Sequence, residues 1–191
     1  MDGLNMVLME TPVCNFGEKA IDFNLPGTDG KLWSMTDCIG EKGMLLMFIC
    51  NHCPYVKAIQ TRLVDDVLKL IDNGINSVAI MSNDPGDYPE DSFENMQKVA
   101  SEYNYPFPYL FDESQEIAKA YGAICTPDFF GYNASLELQY RGRLDDSGTK
   151  TPSDNSKHDL LEAMIGVANT GNGPKHQIPS MGCSIKWKNS A

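Results

Sequence analysis

The chain is short of positive charge: 15 Lys and Arg stand against 26 Asp and Glu, a formal net charge of −11 over 191 residues. Phosphate backbones and anionic membranes recruit clustered cations, so neither nucleic acid nor a membrane is expected as a partner. Long apolar stretches are missing too. The longest, Met44 to Cys50, falls well below the roughly 20 residues that span a bilayer. Met1 to Glu10 has no basic start and no apolar run fit for a secretory signal, so a cytoplasmic location is expected. Internal repeats and low-complexity blocks are absent. Hydrophobic residues make up 42% of the chain, enough for a core without covalent staples, and a single domain over 1–191 follows. Six cysteines (14, 38, 50, 53, 125, 183) should then be thiols in a reducing compartment, with any disulfide transient or catalytic. Spacing alone does not choose among their pairings.

The chemistry concentrates at Cys50-Asn-His-Cys53-Pro54, where the apolar run Met44–Ile49 meets an amphipathic helix starting near Pro54. A buried strand delivers the first cysteine to its end, and the unpaired N–H groups of the following helix favour a thiolate there. Two cysteines separated by two residues at a helix start can also close a disulfide. His52, beside Cys53, adds an imidazole that favours thiolate and therefore the reduced pair.

Around this junction the periodicities predict a βαβ half and a ββα half. Ile21, Phe23 and Leu25 alternate with polar residues, and Asp29-Gly30 turns the chain toward Leu32 and Trp33, an N-terminal hairpin. The helix after Pro54 carries Val56, Ile59, Leu63, Val67 and Leu70 at steps of three and four, ending at Gly74. A second strand runs from Ile75 to Ser82. A helix with Phe93, Met96, Val99 and Tyr103 follows, then a short strand, Tyr109–Phe111, and a brief helix, Ser114–Tyr121. A hairpin around Asn133 and a last helix through Leu160–Ala168, closed by Gly171, complete the pattern. Residues 172–191 read as an irregular polar tail. The fold class is α/β, a central mixed sheet flanked by helices with an N-terminal β-hairpin extension.

This order, with C-x-x-C after the first parallel strand and Thr126-Pro127 before the later hairpin, resembles the thioredoxin fold. F-I-C-N-H-C-P-Y-V (48–56), S-N-D-P (82–85), C-T-P-D-F-F (125–130), Y-R-G-R-L-D-D (140–146) and G-C-S-I-K-W-K (182–188) resemble a bacterial redoxin family of the AhpC/TSA-like or TlpA-like branch. The resemblance implies a cis-Pro127 that shapes a substrate groove, with the backbone of Thr126 open to an extended partner. It implies a thiol–disulfide oxidoreductase with Cys50 as exposed nucleophile and Cys53 as resolving thiol. Cys125 and Cys183 become candidate third redox thiols. Partners would be protein or small-molecule thiols, disulfides or peroxide, with an electron-donor thiol system and no cofactor; the protein would be a monomer or a homodimer.

Two further frames compete. Peroxiredoxins resemble P-x-x-x-T-x-x-C-P, which puts the peroxidatic position on Cys53, followed by Pro54, with Cys50 as the other candidate for that role. The threonine position then falls on Cys50, the leading proline on Leu46, and the activating arginine on Pro127. A copper(I) or zinc carrier would instead use Cys50, His52, Cys53 and Cys125 as soft ligands, although the pattern of copper-carrying redoxins has one more residue between its cysteines, and no metal is assigned. Cys14 and Cys38 read as structural thiols, Asp145-Asp146 as a solvated turn, and Arg141 and Arg143 as the exposed face of a strand. The start containing Met1, Met6 and Met9 reads as packing.

Overall fold

The computed structural model describes residues 7–188; Met1 and Met6 lie outside them. In chain order the elements are β1 (Leu8–Glu10), β2 (Asn24–Pro26), β3 (Leu32–Ser34), β4 (Gly43–Phe48), α1 (Pro54–Asp72), β5 (Ile75–Met81), α2 (Phe93–Glu102) and β6 (Tyr109–Phe111). There follow α3 (Glu116–Ala120), β7 (Cys125–Thr126), β8 (Asp128–Asn133), β9 (Leu138–Tyr140), α4 (Asp159–Thr170) and β10 (Met181–Ser184).

The main sheet has the order β6-β5-β4-β8-β9. Its β6, β5 and β4 run parallel, whereas β8 and β9 are antiparallel to their neighbours. Every residue of the central β4 is buried, and the period of two explains why. Leu45 and Met47 enter the core layer that holds Val56, Leu63 and Val67 of α1 and Leu160 and Met164 of α4. Met44, Leu46 and Phe48 enter the opposite layer with Phe23, Leu25, Ala118 and Tyr121. The hairpin of β2 and β3 therefore closes the second face, as its alternating residues require. Among the described residues no helix is long and apolar enough to cross a membrane.

The helix after the cysteines keeps its sequence-based limits. Pro54 occupies its first turn, and its buried stripe is Val56, Ile59, Leu63, Val67 and Leu70. Asn73 caps its C-terminal end, and Gly74 leaves with φ +82°, a conformation open to glycine.

The tail differs from expectation. Residues 172–191 are not wholly irregular, because Met181–Ser184 form the middle strand of a second sheet, β1-β10-β7. The polar composition concealed it: this strand is short, and its backbone rather than an apolar pattern holds it. Cys183 pairs with Thr126 and with Leu8, and Ser184 with Cys125. The next residues are tied down as well. Ile185 N–H donates to the Ile124 carbonyl (3.0 Å), Lys186 N–H to Asn83 Oδ1 (2.9 Å) and Lys188 N–H to Gln115 Oε1 (2.8 Å).

Three charged residues also depart from their expected solvated settings. Arg141 is buried against Asp128 (Nη2–Oδ2 2.9 Å), and Arg143 pairs with Asp159 (2.5 Å). Asp145 is buried beside Arg62 (2.6 Å) and accepts the N–H groups of Ser147 and Gly148. Arg141 and Asp145 are enclosed, and Arg143 is part-buried, because a partner from another segment of the chain reaches each, which strand alternation does not reveal.

Gly182 is where β10 presses closest. A Cβ there would stand 2.0 Å from the Thr126 carbonyl oxygen. Gly182→Ala must push the strand outward, and overpacking of this kind costs about 1–3 kcal/mol. Chemical denaturation is expected to show a loss of that size, and a change below about 0.5 kcal/mol, the usual range of neutral surface substitutions, would contradict the account.

Candidate active site

The register of the main sheet assembles the site. Phe48, at the end of β4, pairs with Asp128, at the start of β8. The chain thus leaves β4 into Cys50–Cys53 directly opposite Thr126-Pro127, whose peptide bond is cis. Cys50 Sγ lies 3.1 Å from Thr126 Oγ1, and Cys53 Sγ, as a thiol, donates to the Thr126 carbonyl at 3.2 Å. On the other side β10 brings Cys183, whose sulfur is 2.9 Å from that of Cys53. Three thiols therefore meet around one threonine.

None of the three is open to solvent: Cys50 is 1% exposed, Cys53 0% and Cys183 2%. The expectation of an exposed Cys50 is thus overturned. The electrostatics also shift the favoured thiolate. Burial, then the hydrogen bond with Cys53 and the charge of Asp91, push the Cys50 thiol well above the ordinary value, and the Thr126 hydroxyl offsets this only in part. For Cys53 the hydrogen bond from Cys50 is the largest influence and lowers it. Burial opposes, and Cys183 and the Val56 N–H in the first turn of α1 add to the lowering. Cys183 itself is raised, by burial first and then by Cys53. The physical reason is positional. Cys53, not Cys50, is the N-cap of α1, so the helix end and two donor thiols converge on it.

A buried acid that sequence reasoning missed holds the loop between the cysteines. Asp91 is fully buried, and its Oδ1 accepts the N–H groups of Asn51 (2.7 Å) and His52 (3.1 Å). Its Oδ2 receives Asn83 Nδ2 (2.8 Å) and faces His52 Nδ1 (2.5 Å). Burial alone would raise this carboxyl, but the bonds from His52 and Asn83, the field of His52 and the Asn51 N–H together hold it below the usual carboxylate range. Asn51 in turn binds the Glu90 carbonyl and the Tyr109 hydroxyl. With 26 acids in the chain, nothing local marked Asp91. The S-N-D-P motif, which supplies Asn83, was the available signal.

His52 stacks on Tyr88 (ring centroids 4.4 Å apart), and its buried Nε2 has no hydrogen-bond partner. The imidazole therefore belongs to the Asp91 side of the loop. Cys50, His52 and Asp91 bring possible ligand atoms within 4.8 Å of one another, a set that could hold a cation. Cys125 stands apart from that set. Successive strand residues face opposite sides, and with Thr126 turned to Cys50 the buried Cys125 thiol faces the Pro127 carbonyl at 3.8 Å and is raised by burial. Pro54 is exposed at the start of α1, and Pro127 is buried. Cys38 packs in the second core layer, its thiol pushed up to about 12 by burial, and half-buried Cys14 is pushed up to about 11 for the same reason. Beside the site, a cavity of about 390 Å³ is lined by Tyr55, Pro127, Phe129, Arg143 and Met181.

A family model described as AhpC/TSA family matches residues 16–147. No curated protein matches the chain. Among solved structures, it is similar to an uncharacterized conserved protein from Geobacillus kaustophilus, with 45% identity over 98% of this chain and 100% of that one (TM-score 0.91). A hypothetical protein from Sinorhizobium meliloti shares 36% identity over 95% and 99% of the two chains (TM-score 0.86). Peroxidoxin BcpB from Mycobacterium tuberculosis, at 14% identity over 81% and 96% (TM-score 0.60), shares the fold.

The lowered Cys53 thiol has a consequence for stability. The ordinary thiol value is 9.0, and the folded value lies below it. As pH falls from that value, the unfolded chain takes up this proton before the folded one, so stability present above pH 9.0 is lost as pH drops through the folded value. Denaturation of the reduced protein along a descending pH series is expected to show Cys53→Ala losing less stability than wild type. Parallel curves would contradict the assignment.

Proposed function

Because the chain belongs to the AhpC/TSA family and has a thioredoxin-like fold, we propose that it is a thiol–disulfide oxidoreductase cycling Cys50 and Cys53 between dithiol and disulfide. The observation that carries this reading is the pair of sulfurs on Thr126, 3.1 and 3.2 Å from its hydroxyl and carbonyl oxygens, just before Pro127. Cys53 is the nucleophile. Its thiolate attacks one sulfur of a substrate disulfide, forming a mixed disulfide and releasing the other sulfur as thiolate. Cys50 then attacks the Cys53 sulfur, its proton passes to the departing substrate sulfur, and the protein is left with the Cys50–Cys53 bond. Two electrons have moved to the substrate. Pro127 and Tyr55 border the neighbouring cavity, a recess beside the thiols for the rest of the substrate.

The partner is a protein or small-molecule disulfide, and a cytoplasmic donor thiol system restores the dithiol. Neither step calls for a cation-rich surface, consistent with the net charge of −11.

Peroxide reduction at Cys53 is the second reading, favoured by its lowered thiol and by Pro54 after it. Against it, all three arginines of the chain are engaged with carboxylates: Arg62 with Asp145, Arg141 with Asp128 and Arg143 with Asp159. The charge that develops on a departing peroxide oxygen would lack a guanidinium. Cation carriage by Cys50, His52 and Asp91 rests on their mutual distances alone.

Insulin reduction driven by dithiothreitol tests the main reading. Cys53→Ser is expected to lose roughly 100-fold or more of the rate, as removal of a catalytic nucleophile does. A Cys53→Ser protein as fast as wild type would overturn it. Rapid peroxide consumption by wild type without insulin reduction would favour the second reading.

A further inference from the structure

The exchange described above uses two thiols, and a third lies closer to the reactive sulfur than a two-thiol cycle requires. We propose that Cys183 is a second resolving thiol for Cys53, presented by β10 from the place where an extended substrate strand would pair with Thr126. The proposal rests on the oxidoreductase reading and deepens it.

Three observations carry it. The sulfurs of Cys53 and Cys183 are 2.9 Å apart, so they need to close by less than about 1 Å to reach the roughly 2.05 Å of a disulfide. The residue is also placed in advance. Cys183 pairs with Thr126 and Ser184 with Cys125, filling the β7 edge. The resemblance implied that this edge is open to partners; here the chain's own strand occupies it. Finally, β10 is secured on both sides of the cysteine. Ser180 Oγ donates to the Pro127 carbonyl (2.8 Å) and Ser180 N–H to Thr11 Oγ1 (3.0 Å). Beyond it, Gln115 Nε2 reaches the carbonyls of both Ser82 (2.7 Å) and Lys186 (2.8 Å). Gly182 lets the strand lie against the Thr126 carbonyl, where no side chain fits. The thiol thus meets Cys53 without a loop having to swing.

The chemistry balances without an added reactant. Once Cys53 carries half of a substrate disulfide, Cys183 attacks the Cys53 sulfur. The Cys53–Cys183 bond forms as the bond to substrate breaks, and the substrate leaves as a thiol with the proton from Cys183. Cys50 can then attack Cys53, forming Cys50–Cys53 and returning Cys183 to a thiol with the proton from Cys50. The oxidised state is shared between two disulfides that have Cys53 in common.

Trypsin separates the partners, since Cys50 and Cys53 fall on the peptide 43–57 and Cys183 on the peptide 176–186. The reduced full chain would be oxidised with an equimolar amount of diamide, blocked with iodoacetamide, digested without reductant and examined by mass spectrometry. A 43–57/176–186 cross-link is expected in wild type, and as the main product in Cys50→Ser. Cys50→Ser should keep measurable insulin reduction, and Cys50→Ser/Cys183→Ser should lose it. Absence of the cross-link from wild type and from Cys50→Ser overturns the proposal, and insulin reduction by that same wild type would leave the oxidoreductase reading standing. A cross-link in a wild-type protein that does not reduce insulin would uphold the thiol pair and overturn the oxidoreductase reading. Should Cys50→Ser fail to fold, the wild-type digest decides.

Discussion

The register between β4 and β8 governs everything else in this molecule. With Phe48 opposite Asp128, the end of one buried strand and the beginning of its antiparallel neighbour lie side by side. The C-N-H-C loop is then carried to Thr126-Pro127. A slip of one residue would turn each β4 side chain to the opposite core layer, exchanging Leu45 and Met47 with Met44, Leu46 and Phe48. Two dissimilar apolar layers therefore hold the register, and through it the sulfur-to-threonine distances. The core is in this sense part of the active site.

Onto that frame the fold adds two unequal flanks. Asp91 and His52 lie on the Cys50 side, where a buried carboxylate makes a second negative charge costly. The helix end and β10 lie on the Cys53 side, where the Val56 N–H and the Cys183 thiol can stabilise one. The two cysteines of the motif are thus separated in acidity by their surroundings. That asymmetry is what a nucleophile and a resolving thiol need, and it runs opposite to the order in which the thioredoxin frame assigns the roles.

Much of this was legible in the sequence. The strand into Cys50, the helix from Pro54 with its stripe through Leu70, the N-terminal hairpin and the turn around Asn133 follow from periodicity and turn residues. Cys50, Cys53, Thr126 and Pro127 stood out by spacing and by resemblance. What the sequence concealed depends on contacts over long chain separations. Asp91 reads like any solvated acid until the loop of Cys50–Cys53 folds over it. Arg141 follows directly on β9, and its partner, Asp128 at the start of β8, becomes visible only with the sheet assembled. Strand β10 has too little apolar character to announce itself, and backbone pairing to β1 and β7 makes it. Helix-dipole reasoning placed the favoured thiolate on Cys50, at the strand end, whereas the N-cap of α1 is Cys53, five residues past Phe48.

The central claim is that Cys53 is the reactive thiolate. Limited iodoacetamide labelling of the reduced full chain at mildly acidic pH, with sites assigned by fragment mass spectrometry, tests it most directly. The account predicts that Cys53 is modified ahead of Cys50 and Cys183. Labelling of Cys50 first would contradict it.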